Sequence, residues 1–280
     1  MLGKIRQLCL FKLTTLTKKI RTITLTTDLG LKDYYVAAIK GSILMEINEI
    51  HIIDISHDIE KFNIAQAAFM LKNVIHDFED GTIHIIGVRP SLENNVSHLA
   101  IEYKNQFFIG ADNGIFSLIF EFPPEKVVEL NLTQDTNLLT FPTKDVFVKA
   151  ACHIARGGTL EVIGKPVESI NEKHSFMAVI GSDSIRGSVV YIDSYGNVIS
   201  NITERLFVEV GKGRSFTIMF RKRGDEIHQI SELYTDVAEG EKLALFGSTG
   251  MLEIAMNIGH AKNLLGFNEN DIVNIEFHDN

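Results

Sequence analysis

The feature that most constrains the fold is an alternation of short β-branched runs with helical stretches in the N-terminal part of the chain. Runs rich in β-branched residues predict a buried strand at 23–27 and further strands at 50–55 and 82–88. Apolar residues at helical spacing predict helices over 36–43 and 64–74. This strand–helix–strand order favours a mostly parallel central sheet with helices on its faces, which is an α/β fold.

The rest of the chain divides into two parts. The predicted α/β pattern continues with a hairpin over residues 99–103 and 106–109 and a helix over 146–155. Periodicity is lost over 165–185, and short strands follow at 189–192, 215–220, 242–246 and 272–277. One clear helix interrupts them, from Leu252 to Asn257. We therefore expect an α/β domain over 22–175, a boundary near 170–186, and a smaller β-rich domain over 186–280.

Composition excludes several classes of protein. The chain has 280 residues, a net charge of −9 and no basic stripe, which argues against a nucleic-acid partner. No apolar run reaches the roughly 18 residues of a membrane helix. Cys9 and Cys152 form no CxxC motif and are expected to be free thiols in a cytoplasmic protein. Residues 1–21 are basic, and because Lys12 interrupts their apolar stretch, an N-terminal extension is favoured over a signal peptide.

Polar residues follow the predicted parallel strands, where ligands bind in open α/β sheets. They are Asp28 after the first strand, Asp54 and His57 after the second, and Arg89 after the third. A carboxylate there can accept hydrogen bonds from a vicinal diol such as that of ribose. The alternatives are that Asp28 caps the following helix and that His57 is a structural histidine.

Three further segments combine glycine with polar residues. Gly110–Gly114 is a turn before a short apolar run, and Asp193–Asn197 combines a carboxylate, an aromatic ring and an amide that suit a purine and an ammonium group. The second segment also fits an ordinary turn. Gly247–Gly250 precedes the predicted helix and would bind a carboxylate or phosphate at its N-terminus. Glu253, inside that apolar helix, is a candidate ligand contact.

The order and content of seven segments together carry a resemblance. They are residues 26–34, 53–59, 62–69, 81–84, 110–117, 191–202 and 247–257. In these segments the chain resembles the S-adenosylmethionine (SAM) hydroxide adenosyltransferase, or fluorinase-like, family from about residue 22 to its end. The resemblance implies an N-terminal α/β domain, a C-terminal β-barrel, and a homotrimer that binds its ligand between the domains of two subunits.

The resemblance also implies a reaction and a set of contacts. Family members displace methionine from the ribose C5′ of SAM with water-derived hydroxide, or with halide in a few cases, and no metal or other cofactor is implied. The implied contacts are Asp28 with the ribose hydroxyls, Asp33 and Asp193 with the methionine ammonium or nearby polar atoms, Tyr195 and Asn197 with adenine, Phe62 as a pocket wall, and Ser248 and Glu253 from the partner domain.

The hydrolytic members use an Asp–Arg–His triad, and the sequence departs from it at all three positions. Arg89, Val96 and Pro142 stand there, so no catalytic residue is assigned. SAM hydrolysis to adenosine and methionine is one hypothesis, and a catalytically altered or inactive binder of adenosine or an anion is the alternative.

Four residues in this region add to these hypotheses. A Thr143 hydroxyl beside Arg89 would also suit a halide. His98 or Lys144 would be a substitute base unless both are surface residues. Because the Arg89 cation repels a sulfonium, the pocket is expected to prefer a neutral adenosine-like ligand.

Overall fold

A computed structural model describes residues 21–90, 96–132, 140–174, 176–220 and 226–279. The predicted N-terminal extension, apart from Arg21, and the predicted free thiol of Cys9 lie outside the described residues.

The first sheet is mixed, with most strands running in one direction. Its strands are β1 (Arg21–Thr27), β2 (Ile50–Ser56), β3 (Ile83–Gly87), β4 (His98–Tyr103), β5 (Gln106–Ala111), β6 (Lys126–Leu130) and β7 (Gly164–Pro166). Their order is β2-β1-β3-β5-β4-β6-β7. Strand β1 is parallel to both β2 and β3, and β3 is parallel to β5. The carboxyl ends of these four strands therefore meet at one edge of the sheet.

Helices cover both faces of this sheet. They are α1 (Tyr35–Glu46), α2 (Ile64–Val74), α3 (Ile115–Ile119), α4 (Val148–Ala155) and α5 (Leu160–Ile163). One core is built with α1, α4 and α5, and the other with α2 and α3. Short 3-10 and π turns, Ile75–Asp77 and Thr143–Phe147, follow α2 and precede α4. Cys152 is a free thiol inside the first core, and burial raises its pKa to about 11.

The second sheet is antiparallel and nearly closes into a barrel. Its strands are β8 (Val179–Ile180), β9 (Ser184–Ile192), β10 (Val198–Thr203), β11 (Ser215–Phe220), β12 (Glu226–Ile227), β13 (Lys242–Phe246), β14 (Met251–Met256) and β15 (Ile272–His278), with helices α6 (Glu204–Gly211) and α7 (Ala261–Leu265) and a 3-10 turn at Tyr234–Asp236. Their order is β12-β11-β15-β9-β10-β14-β13, with β8 beside β9. Ser231, after β12, donates its N–H to the carbonyl of Ala244 on β13 (2.8 Å). The predicted fold class is confirmed.

The predicted helix from Leu252 to Asn257 is wrong. Residues 251–256 form β14, which pairs with β10 on one side and β13 on the other. Residues 252–255 are buried, and a short buried apolar run cannot be assigned to helix or strand by periodicity alone. The described residues of this domain form helices α6 and α7 instead, so the expectation of a single helix there is also wrong. The domain limits at 175 and 186 stay a prediction.

The two domains touch through α2 and β9, where the rings of Phe69 and Tyr191 stack with centroids 4.6 Å apart. Across the described ranges, no helix is long and apolar enough to cross a membrane.

Candidate functional site

The turn that follows β1 holds Asp28 at the carboxyl edge of the first sheet. Asp28 is 5% exposed, and its Oδ2 accepts a hydrogen bond from the Phe62 N–H (2.9 Å). Among the described residues, nothing donates to Oδ1. Lys61 Nζ donates to the Asp28 carbonyl. Helix α1 begins after Tyr34 with no side-chain cap, so the interpretation of Asp28 as a helix cap is wrong.

The backbone on both sides of this contact adopts positive φ. Gly30 has φ +71° and donates its N–H to the carbonyl of His57 (2.8 Å). Phe62 has φ +67°, a conformation that costs a non-glycine residue about 1 kcal/mol or more. The Phe62 ring is 67% exposed, and the predicted ligand residue Asp33 is exposed beside Tyr34. An exposed aromatic residue therefore contacts Asp28, and an exposed acidic residue lies further along the same loop.

His57 has a polar neighbour at each ring nitrogen, but among the described residues only Nδ1 makes a hydrogen bond. Its Nδ1 lies 2.7 Å from Thr27 Oγ1, and its Nε2 lies 3.1 Å from Asp54 Oδ1. Lys40 Nζ lies 2.5 Å from the other oxygen of Asp54. Burial opposes ionisation of Asp54, but the hydrogen bond from Lys40 and the proximity of His57 outweigh it, so its pKa is lowered. This geometry favours the interpretation of His57 as a structural histidine.

A second group of predicted residues lies in the barrel domain, in the turn between β9 and β10. Asp193 Oδ1 accepts the N–H groups of Tyr195 (2.9 Å) and Asn197 (2.8 Å), and its Oδ2 accepts the Asn197 amide (3.0 Å). Gly196 has φ +82°, and a Cβ there would lie 2.0 Å from the ring of His260. The turn therefore closes on its own carboxylate and leaves the Tyr195 ring 77% exposed.

Glu253 on β14 faces a partner that the sequence does not reveal. Glu253 is 7% exposed, and its Oε1 accepts a hydrogen bond from the Tyr234 hydroxyl (2.7 Å). Burial raises the pKa of Glu253, and the charge of Asp193 raises it further. Burial and the bond to Glu253 raise the pKa of Tyr234 in turn. Tyr234 lies in a 3-10 turn far from Glu253 in sequence, and no local pattern predicts their contact.

Ser248 lies exposed in the turn between β13 and β14, not at a helix N-terminus as predicted. The turn is closed by the Gly250 N–H, which donates to the Gly247 carbonyl (2.9 Å). A Cβ at Gly247 would lie 2.8 Å from Glu253 Oε2, so the turn packs directly against that carboxylate. The idea of an anion site at a helix N-terminus is therefore wrong.

The predicted ligand residues thus form two groups in one chain. Asp28, Asp33 and Phe62 make up the sheet-edge group, and Asp193, Tyr195, Asn197, Ser248 and Glu253 make up the barrel group. Over the described parts of the chain, no hydrogen bond or ion pair joins the two groups.

Two of the three positions expected to hold the triad border a cleft at the ends of β3 and β5. Arg89 and Val96 line it with Asp112, Asn113, Gly114 and residues 171–173, and its volume is about 300 Å³. Arg89 has φ +46°, and its carbonyl accepts a hydrogen bond from the Asn113 amide (3.1 Å). Pro142 is buried at the start of the π turn.

His98 and Lys144, the two residues considered as substitute bases, have different surroundings. His98 is buried, with Nε2 2.9 Å from the Pro90 carbonyl, and burial lowers its pKa; its interpretation as a surface residue is wrong. Lys144 pairs with Asp145 (2.9 Å).

The Thr143 hydroxyl is buried and has no hydrogen-bond partner among the described residues. A Cβ at Gly87 would lie 2.8 Å from that oxygen, so the Thr143 side chain packs against the end of β3.

Comparison with known proteins settles the family. A model of the SAM hydroxide adenosyltransferase N-terminal domain matches residues 23–164, and a model of the C-terminal domain matches residues 187–274. The chain belongs to this family. A family relative from Methanocaldococcus jannaschii, named (R)-S-adenosyl-L-methionine hydrolase, is 29% identical over 264 residues, or 90% of this chain and 95% of that protein.

Two further proteins are similar to this chain over most of its length. A fluorinase of Nocardia brasiliensis is 20% identical across 88% of this chain and 93% of its own. The crystal structure of an uncharacterized conserved protein from Thermotoga maritima has a TM-score of 0.82 at 27% identity, covering 91% of this chain and 99% of that one. The predicted resemblance to the family is confirmed.

Proposed function

We propose that the protein binds SAM or adenosine, with the ribose hydroxyls on Asp28. The observation that carries this proposal is the Asp28 carboxylate, which is held by the Phe62 N–H through one oxygen while the other accepts nothing from the described residues. A buried carboxylate with one unused oxygen can accept charge-assisted hydrogen bonds from a diol. The Phe62 ring would wall the pocket, and Asp33 would face the methionine ammonium or polar atoms close to it.

The barrel group would supply the remaining contacts. Tyr195 and Asn197 would meet adenine, Asp193 would face the ammonium or nearby polar atoms, and Ser248 and Glu253 would complete the pocket. Because no hydrogen bond or ion pair among the described residues joins this group to Asp28, we propose a homotrimer in which the barrel group of one subunit faces the sheet-edge group of the next. The exposed Phe62 and Tyr195 rings support such a contact. We place the protein in the cytoplasm.

The reaction that we propose is hydrolysis of SAM to adenosine and methionine. A sulfonium is a good leaving group, so alignment of sulfur, carbon and nucleophile and removal of water do most of the work. A water nucleophile also needs a base. Arg89, Val96 and Pro142 supply none, so the alternative is a binder with altered or lost turnover.

The surroundings of Thr143 favour a halide as a second candidate nucleophile. The Thr143 hydroxyl is buried without a protein partner among the described residues and is free to donate to an anion. Chloride present during turnover would then give a chlorinated nucleoside.

Incubation of the purified protein with the (R) and (S) sulfonium epimers of SAM, with and without chloride, followed by chromatography, tests this proposal. Adenosine above the no-enzyme blank supports hydrolysis, and a chlorinated nucleoside supports the halide reaction. No product together with calorimetric binding of adenosine supports the binder. No product and no binding of either ligand would contradict the whole proposal.

The contact to Asp28 has its own test. Asp28→Asn should weaken adenosine binding about 10- to 100-fold, because a hydrogen bond to a charged group contributes about 1.5–3 kcal/mol. Asp58→Asn is the matched control, since Asp58 is an exposed carboxylate in the neighbouring loop. Equal affinity of the Asp28→Asn protein and the wild type for adenosine would remove Asp28 from the site.

A further inference from the structure

We propose that His57 is a positioning residue for the ribose site, acting through Thr27 on the turn that carries Asp28. This inference rests on the proposed function, because it concerns the ribose contact assigned to Asp28. It adds a residue that does not itself touch the ligand.

The directions of the hydrogen bonds around His57 follow from chemistry. His57 Nε2 lies 3.1 Å from Asp54 Oδ1 but makes no hydrogen bond among the described residues, and because Asp54 offers only acceptor oxygens, their proximity favours the hydrogen on Nε2. In the neutral ring Nδ1 is then an acceptor, and the Thr27 hydroxyl donates to it (2.7 Å). The Thr27 oxygen is then left to accept a hydrogen bond from the N–H of Leu29 (3.4 Å), and Leu29 directly follows Asp28. A chain of hydrogen bonds therefore runs from His57 through Thr27 to the Asp28 turn, with Asp54 in close contact at its outer end.

The backbone of His57 reaches the same turn from the other end. Its carbonyl accepts the Gly30 N–H (2.8 Å), so the turn is held on both sides of Asp28. Thr27 and His57 are both buried, and water cannot easily replace a missing partner there. Loss of the His57 ring acceptor would leave the Thr27 hydroxyl free to rotate and would release the Leu29 contact. The Asp28 carboxylate would then no longer be fixed toward its ligand.

Two substitutions of His57 separate its two ring nitrogens. In His57→Asn the amide oxygen takes the place of Nδ1 and still accepts from Thr27, while the contact to Asp54 is lost. In His57→Gln the longer amide reaches Asp54, while the acceptor for Thr27 is lost. Thr27→Val and Thr27→Ser form a second pair, since only serine keeps the hydroxyl.

The readout is calorimetric affinity for adenosine and for 2′,3′-dideoxyadenosine, which lacks the diol. We expect His57→Gln and Thr27→Val to weaken adenosine binding about tenfold, as loss of a hydrogen bond to a charged group does, and to change dideoxyadenosine binding less than about twofold. His57→Asn and Thr27→Ser should stay within about threefold of wild type for both ligands. A general structural defect would weaken both ligands equally.

The outcomes separate the two proposals. If the wild type binds no adenosine, or if Asp28→Asn binds it as well as wild type does, the proposed function fails and this inference fails with it. If Asp28→Asn weakens binding while His57→Gln and Thr27→Val do not, only the role of His57 is overturned. Equal losses for both ligands would also overturn it. Should His57→Gln fail to fold, the Thr27 pair decides the matter alone.

Discussion

At the residue scale, the unusual property of the site is a carboxylate that is almost buried and only partly used by the protein. Ionised carboxylates in such places need hydrogen-bond donors, and Asp28 obtains one from the Phe62 N–H. Phe62, the residue whose N–H donates to this carboxylate, also adopts a positive φ.

Arg89 gives a prediction at the same scale. Arg89 is exposed at the end of β3, and a sulfonium about 5 Å away would be repelled by about 1 kcal/mol in a water-like dielectric. Arg89→Asp reverses that charge, so SAM should bind about tenfold more tightly while neutral adenosine is unaffected. Calorimetry with both ligands measures this difference. Unchanged or weaker SAM binding would show that Arg89 does not set the preference for a neutral ligand.

At the element scale, β1, β3 and β5 are joined inside the sheet by polar side chains. His84 lies between Thr24 Oγ1 (2.8 Å) and Gln106 Oε1 (3.1 Å), and the Gln106 amide donates to the carbonyls of Ile75 and Phe78. The His84 ring is neutral in this arrangement, and burial lowers its pKa to about 4. Every described polar contact of this ring therefore ties neighbouring strands together.

The His84 network predicts a pH dependence of stability. The unfolded chain binds a proton on His84 below a pKa of about 6.5, whereas the folded protein does so only near 4. The stabilisation is fully present above about pH 6.5 and is lost as the pH falls toward 4. The contribution of His84 should make the free energy of unfolding in urea about 2 kcal/mol lower at pH 5 than at pH 8. His84→Leu should remove that part of the difference, and equal pH dependence in both proteins would disprove it.

The turn between β13 and β14 yields a prediction for a single glycine. Gly250 has φ +67°, and a Cβ there would meet no atom within 4 Å, so only the backbone conformation opposes a side chain. Gly250→Ala should lower the free energy of unfolding by about 1 kcal/mol, and Gly250→Asn by less, because asparagine tolerates this conformation better. Chemical denaturation measures both. Equal stability of the wild type and Gly250→Ala would mean that the turn relaxes without cost.

At the scale of the whole molecule, the two groups of predicted ligand residues belong to different domains. A site made of one group from each of two subunits predicts complementation between variants. Asp28→Asn and Glu253→Gln should each bind adenosine weakly, but subunits mixed after co-refolding should restore about one quarter of the wild-type sites. A mixture of Asp28→Asn with the double variant is the control and should restore none. No recovery in the first mixture would place the site within one chain.

Much of the fold could be predicted from the sequence because it is local. The β-branched runs of β1 and β3 and the helical spacing of α1 and α2 match the burial that these elements acquire in the tertiary structure. The run over 50–55 is also a strand, but β2 lies at the edge of the sheet and has no buried residue. Asp28 was identified at a strand end for the same reason. The ordered segments that resemble the family also led to its confirmed membership.

Other features were decided only by the tertiary structure. Residues 251–256 are a strand because β10 and β13 lie on both sides and pair with them, which no local periodicity encodes. Tyr234 meets Glu253, and Thr27 meets His57, across turns whose paths depend on the packed sheets. The sequence by itself determined the early strands and helices of the first sheet and that Asp28 stands at a strand end. The tertiary structure decided which groups surround Asp28, because hydrogen bonds between distant residues exist only once the chain is packed.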